Sequence, residues 1–459
     1  MKLVPLLAAL VLAGCASVPA IEPGSLPAAP AAFKEIDGRF TAAHPAEAQP
    51  RGEWWKAFGD PVLDDLVDRA GRANTSVQVA AARLARARAL ARSVDADRAP
   101  QASASAGAVR LAEPLAGGSA ATLSSIGASV SYEVDLFGRL ARASEAAALD
   151  AGASEALLQS TRLLVQADVA QAYLTLRALD DERAIVSDTV AAYRGTLDLT
   201  ERRNRAGDVA ELEVARARAE LASTEAEAAA LSRQRAVVEH ALAVLVGEVA
   251  SGFSFDVANA RTSLPVVPAG VPSTVLARRP DVSAAMHGLK AAQARVGVAQ
   301  AAWLPSLSLT ASGGYASSEV SDLFKWSVRT WGIGALFSLP LFDGGRREAG
   351  VQAARADFDG ALAAYRDQVL VAFKDVEDEL SALRWLAEQS QAQARALDAA
   401  QRASALSGSR YRNGLVSQLE LLDAQREELR LRRQVAQVRG AQFQATVGLI
   451  RALGGGWDA

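Results

Sequence analysis

Between Ile126 and Leu136 the chain alternates without a break. Ile126, Ala128, Val130, Tyr132, Val134 and Leu136 fall on one side, and Gly127, Ser129, Ser131, Glu133 and Asp135 on the other. Strict period two predicts a strand with one apolar and one wet face. The pattern returns later, with Trp331, Ile333, Ala335, Phe337 and Leu339 on one face and Gly332, Gly334 and Ser338 opposite, while Ser306 to Ser312 alternates Leu307, Leu309 and Ala311 with hydroxyls. A segment of about ten residues is what a tilted strand needs to cross a bilayer, and such faces fit a strand between lipid and a wet lumen. A strand of a soluble sandwich carries the same alternation. On the membrane reading Ile126, Val130, Val134, Trp331, Ile333 and Phe337 face lipid, and Ser129, Ser131 and Glu133 face the lumen.

Elsewhere the period is helical. From Gly345 to Arg410 there is no proline, and Phe358, Leu362, Tyr365, Val369, Phe373, Val376, Leu380 and Leu383 recur at spacings of four and three, the seam of a coiled coil. A helix of some 65 residues extends about 100 Å, well beyond the usual globular length. It is expected to turn at Asn413-Gly414 and return from Val416 to Leu453. A second run from Gly138 to Asn204 turns at Ala206-Gly207 and returns to Val246. Shorter helices are predicted from Asp64 to about Ala96 and from Asp281 to about Ala302, ending ahead of Pro100 and Pro305.

These elements come in two copies. Asn74 to Gly107 lies over Arg279 to Ser312 at an offset of 205, matching Pro100 with Pro305, and Leu136-Phe137 lies over Leu341-Phe342 at the same offset. At 207, Arg205-Ala206-Gly207 lies over Arg412-Asn413-Gly414, and Leu212-Glu213 over Leu419-Glu420. So long a period marks a duplicated domain, with short solenoid units excluded. The expected division is a signal peptide at 1–14, an extended Pro- and Ala-rich tether at 15–50, a first repeat at 51–250, a linker at 251–270 and a second repeat at 271–459.

The N-terminus adds a compartment. Lys2 precedes an apolar run that ends in Leu12-Ala13-Gly14-Cys15, too short to span a bilayer as a helix and ordered like a secretory signal. Small residues before the chain's single cysteine are similar to a bacterial lipobox, which would make Cys15 a lipidated mature N-terminus; an ordinary signal with an incidental cysteine is the alternative. Charge narrows the function further. Lys plus Arg number 49 against 52 Asp plus Glu, leaving no basic footprint for nucleic acid. Three scattered histidines offer no metal spacing, and no GxSxG or glycine-rich phosphate loop occurs, so no catalytic, cofactor or metal site is expected. The carboxylates of Asp375, Glu377, Asp378 and Glu379 read as a solvated helix face.

With the Cys15 lipobox, Trp54-Trp55 and Phe58, Asp60-Pro61, Arg279-Pro280-Asp281-Val282, Pro305 and Leu421-Leu422-Asp423-Ala424-Gln425-Arg426 in this order, the chain resembles the TolC-like outer membrane factors. The likeness is strongest to their lipoprotein branch, which serves resistance-nodulation-division pumps. It implies an α+β membrane protein and a homotrimer, whose four strands per protomer make one 12-stranded barrel continuous with a helical periplasmic barrel. That agrees with the strands themselves, since the smallest membrane barrels have about eight. It also implies an outer membrane duct that passes small molecules outward when a periplasmic adaptor and an inner-membrane pump dock, with cargo chosen largely by the pump. A structural coiled-coil lipoprotein and a duct for protein or peptide secretion are the rival readings.

The resemblance further places Leu419, Asp423 and Arg426 at the periplasmic constriction. Their spacing of four and three puts them on one helix face, where a seam leucine with two solvated charges is the plainer account. The offset of 207 sets Arg216 under Asp423 and Ala219 under Arg426, so the two turns, at Gly207 and at Asn413-Gly414, differ in charge. Asp423 is expected to pair with Arg216 or Arg426.

Overall fold

In the computed structural model the described residues are 19–22, 24, 26–35, 52–111, 120–256, 263–265, 267 and 278–455; Cys15, most of the tether and much of the expected linker lie outside them. The elements run α1 (Pro61–Ala73), α2 (Thr75–Ala96), β1 (Gln101–Leu111), β2 (Ala121–Val134), α3 (Arg139–Arg205) and α4 (Glu211–Leu245). A second series follows: α5 (Pro280–Ala301), β3 (Ser306–Ser317), β4 (Arg329–Ser338), α6 (Arg346–Arg412) and α7 (Gln418–Ala452). They belong to two compact units. One holds Met1–Pro27, Ala82–Ala156 and Ser283–Gln368; the other holds Ala28–Ala81, Leu157–Val282 and Val369–Ala459. No helix among the described residues is long and apolar enough to cross a membrane.

The first unit contains the sheet. Its four strands are antiparallel in the order β1-β2-β3-β4. The register aligns Ala102, Val130, Ala311 and Ile333 in one row and Ser103, Ser129, Ser312 and Gly332 in the next. Residues paired across strands share a face, so the alternation read along single strands extends over all four. Ser103 and Ser129 join by their hydroxyls at 2.9 Å on the polar face. Ile333 and Trp331 on the apolar face are 82% and 74% exposed in the protomer, so these side chains are left uncovered by the described residues. Leu336, paired with Ser308, and the pair Val109 and Leu123 near the loop end are apolar intruders on the polar side. Gly314 is required where β2 and β3 approach, because a Cβ there would lie 2.3 Å from the Ile126 carbonyl oxygen.

The strand limits depart from the alternation. β2 begins five residues before Ile126 and stops at Val134, and β4 stops at Ser338, which leaves Leu136 and Leu339 outside the sheet. Asp135 leaves the ladder for a chemical reason. Its carboxylate accepts the amides of Leu140 (3.1 Å) and Ala141 (2.8 Å), capping the first turn of α3.

The single helix expected from Asp64 to Ala96 begins earlier, at Pro61, and is broken at Asn74, within the second unit. Asp60 caps α1 by accepting from Val62 at 3.1 Å, and it also accepts the hydroxyl of buried Tyr173. The Asn74 side chain accepts from Ser76 (2.9 Å) and Val77 (3.3 Å) to start α2 and donates to the Leu245 carbonyl at 2.8 Å. One amide thus replaces the helical bonds lost at the break. Val369, Val376 and Leu380 of the α6 seam are fully buried, while at the expected Phe373 the neighbouring Ala372 is buried and Phe373 itself is half-buried. Phe33 is buried as well, and the amides of Lys34 and Glu35 donate to the Glu377 carboxylate at 2.7 and 3.0 Å, so this part of the tether packs on α6.

Arg279 closes the unit where α5 begins. Buried to 7% exposure, its guanidinium donates to Asp281 (2.6 Å), Asp375 (3.0 Å) and the Ala452 carbonyl (3.2 Å). Arg279→Ala removes the guanidinium shared by Asp281, Asp375 and the Ala452 carbonyl, at a cost of about 3 kcal/mol. The expected result is a lower urea midpoint for loss of helical circular dichroism; an unchanged midpoint would mean that water replaces the guanidinium at no cost.

Candidate functional site at the helical turns

The two helical reversals use the same backbone device. At the first, Gly207 adopts φ +82° and the Asp208 amide reaches back to the Arg203 carbonyl at 2.9 Å; at the second, Gly414 adopts φ +72° and Leu415 reaches the Arg410 carbonyl at 2.9 Å. Both are left-handed helix ends, which glycine adopts without strain. Asn204 donates to the Val209 carbonyl and Asn413 to the Ser409 carbonyl, each at 2.8 Å, and Ser417 caps α7 by accepting from Glu420. Arginines end both long helices, Arg202, Arg203 and Arg205 on α3 and Arg410 and Arg412 on α6, where the negative end of the helix dipole favours cations.

One turn beyond the second reversal, Leu419 is 45% exposed, and its counterpart Leu212 on α4 is exposed also. Asp423 accepts from Arg426 Nη1 at 3.4 Å. Arg426 then crosses to α4, where its Nε donates to Glu220 at 2.7 Å and its Nη2 donates to the same oxygen. These contacts hold the guanidinium charged beyond its ordinary range, the Glu220 hydrogen bond first and the Asp423 charge after it. Of the two partners expected for Asp423, Arg426 is the one it meets. Arg216 is exposed and forms no ion pair among the described residues, so the structure does not bring it to Asp423.

Several neighbours were not singled out from sequence. Glu220 is the foremost, because it shares Arg426 with Asp423 and its side chain is only 14% exposed. Its spacing of four from Arg216 was the available signal, and it pointed to the wrong arginine. Close by, the Gln418 side chain donates to the Thr200 hydroxyl at 3.2 Å and Tyr411 lies 3.5 Å from the same oxygen, all three buried. This contact fixes the ends of α3, α6 and α7 together. Tyr193 is buried with its hydroxyl unpartnered and its ionisation pushed up, by burial first and by the Glu220 charge second. It lines a cavity of about 190 Å³ with Asp188, Gln425 and Arg432.

Among the described residues no cluster of His, Cys, Asp or Glu could hold a metal ion. The turns combine an exposed leucine with a charge network that ties α4 to α7, two helices running parallel, as the pairs Arg426–Glu220 and Arg433–Glu227 show.

Comparison with known proteins agrees over nearly the whole chain. The family model described as outer membrane efflux protein matches twice, at residues 66–248 and 271–455. The probable efflux pump outer membrane protein TtgC of Pseudomonas putida KT2440 is 33% identical, over 98% of this chain and 94% of its own. The pyoverdine export outer membrane protein OpmQ of Pseudomonas aeruginosa is 35% identical over 98% and 96%. Among solved structures, the outer-membrane channel OprN is 32% identical and superposes with a TM-score of 0.88, covering 96% of this chain and all of that one. The chain belongs to the outer membrane efflux protein family.

Proposed function

We propose that this protein is the outer membrane exit duct of a tripartite efflux system, a homotrimer that conducts small molecules passively from a periplasmic adaptor and inner-membrane pump to the cell exterior and performs no catalysis. The observation that carries the reading is the two-faced sheet. Four strands with an exposed apolar face and a hydroxyl-lined opposite face cannot close alone, and three copies joined from β4 to β1 give twelve strands, a size membrane barrels adopt. Val130, Ile333 and Trp331 then face lipid while Ser129, Ser131 and Glu133 face water. A structural coiled-coil tether has no use for such a sheet. Deleting the gene is expected to raise accumulation of exported dyes or antibiotics, across a panel, as far as deleting the partner pump does. Equal accumulation in deleted and complemented cells throughout the panel would contradict the reading.

In this duct the helical turns form the closed periplasmic end. Threefold repetition makes Leu419 a dewetting ring and Asp423 a carboxylate ring, while Arg426 latches α7 to α4 through Glu220. Adaptor docking opens the end by drawing Arg426 or Glu220 into new contacts. Arg216, exposed on α4, stands as a docking or lumen charge apart from the latch.

At the other end of the chain, Cys15 carries lipid and the barrel embeds without it. Attached acyl chains contribute about 0.8 kcal/mol per buried CH₂, a gain added to that of twelve strands. Cys15→Ala behind a cleavable signal is expected to form trimers in normal amount. Mass spectrometry of the mature wild-type protein should show acylation at Cys15, and an unmodified N-terminal peptide would remove the lipobox reading.

A further inference from the structure

The sheet segregates its few charges by face and by end. Cross-strand pairing places Ala102 with Val130 and Arg110 with Thr122, and it places Tyr315 with both Ile126 and Arg329. Arg110 and Arg329 therefore share the apolar face with Val130 and Ile126, and they are the only charged residues of the described strands on that face. Both stand at the loop ends of their strands, away from the ends joined to helices. The polar face carries a single charge, Glu133, at the helix end, where Arg139 pairs with it at 2.8 Å.

Neither arginine has a carboxylate partner among the described residues. Arg110 is exposed and makes no ion pair among the described residues. The guanidinium of Arg329 lies 4.2 Å from the centre of the Trp326 ring and donates to the Trp326 carbonyl at 3.1 Å. Asp322, the nearby acid of the same loop, is already paired with Lys325 at 2.6 Å. Around Arg329 the aromatic side chains are exposed: Phe324 at 72%, Trp326 at 71% and Trp331 at 74%. Tyr315 packs on Phe324 at 6.1 Å between ring centres.

This composition is specific to a depth in a membrane. A cation on the lipid face is costly at the midplane and nearly free at the interface, and exposed tryptophans belong at the same level. Two arginines without a carboxylate partner among the described residues also select for sign. Guanidinium binds phosphate through paired N–H groups, and stacking on an aromatic ring holds it flat for that purpose. The lipid that presents phosphate at the external face of a bacterial outer membrane is its phosphorylated glycolipid.

We propose that Arg110 and Arg329 are recognition positions for the phosphate groups of the outer-leaflet glycolipid at the loop end of the barrel, Arg329 held among interfacial aromatic residues. The proposal rests on the assignment of the Val130 face to lipid. In the closed ring, β4 of one protomer pairs with β1 of the next, which brings the two kinds of arginine to adjoining strands three times around the rim. The same lipid can then bridge protomers.

The test is native mass spectrometry of purified trimers exposed to diphosphorylated lipid A or to its dephosphorylated form. Wild-type trimers should retain the phosphorylated lipid preferentially. R110Q/R329Q should assemble normally, lose the preference and retain the phosphorylated lipid at least about tenfold less, whereas R110K/R329K should keep part of the preference. Equal retention of both lipids by wild type, or undiminished preference in R110Q/R329Q, would overturn the proposal. Val130→Lys tests the lipid-face assignment separately. Normal assembly of that variant would remove the assignment itself, whereas a loss of assembly with no lipid preference in wild type would remove the phosphate sites alone.

Discussion

Val130→Lys is expected to abolish recovery of assembled trimers, while Ser131→Lys, one residue away, leaves recovery near the wild-type level. The two positions differ only in face. Val130 shares its row with Ala102, Ala311 and Ile333, and Ser131 shares its row with Gln101, Thr310 and Gly334. Near the middle of β2 a lysine on the lipid face costs about 2–4 kcal/mol in each of three copies, and on a wet lumen wall it costs little. The fraction of heat-resistant trimer in unheated gels of outer membranes reads the difference. Similar yields for the two variants would mean that the apolar face is covered by something other than lipid.

The second large effect is expected at the turns. Asp423→Asn with Arg426→Gln removes both charges from α7 and leaves Glu220 without the guanidinium it now binds twice. An ion pair of this exposure contributes about 1 kcal/mol, so three acting together bias the closed state by about a hundredfold. In planar bilayers the double variant should open far more often and with greater conductance. Cells that lack the pump should become permeable to large antibiotics. Salt supplies an internal control: raising ionic strength screens the wild-type latch and increases its open fraction, whereas the variant has no latch to screen. If the assembled variant conducts as wild type does, these residues are not part of the closure.

Much of the architecture was legible because its two periods are long and unbroken. The pleat of β2 imposes period two on Ile126 to Val134 whatever surrounds it, and the seam from Phe358 to Leu383 keeps its spacing of four and three along one helix face. The turns at Gly207 and Gly414 were legible for a similar reason, since a positive φ calls for glycine. Interruptions were harder to read. Asn74 breaks a helix whose apolar spacing resumes on the far side, and the break depends on a carbonyl at Leu245, remote in sequence. Asp135 continues the alternation of β2 and yet serves as a cap.

The candidate site divides along the same line. Asp423 and Arg426 pair across one helical turn, a spacing visible in the sequence. The contact of Arg426 with Glu220 depends on how α4 packs against α7, and no spacing encodes it. Thr200, Tyr411 and Gln418 are likewise single polar residues on three helices, joined only by tertiary packing.

The central claim is that the turns of this duct receive an adaptor and, through it, a pump. Leu415 is the position from which to test it, its side chain being 67% exposed beside Gly414. A photo-crosslinker placed there in living cells, followed by purification of the trimer and mass spectrometry of what is attached, should recover a periplasmic adaptor, with an inner-membrane transporter copurifying. Assembled trimers that crosslink abundantly but yield neither adaptor nor transporter would contradict the account.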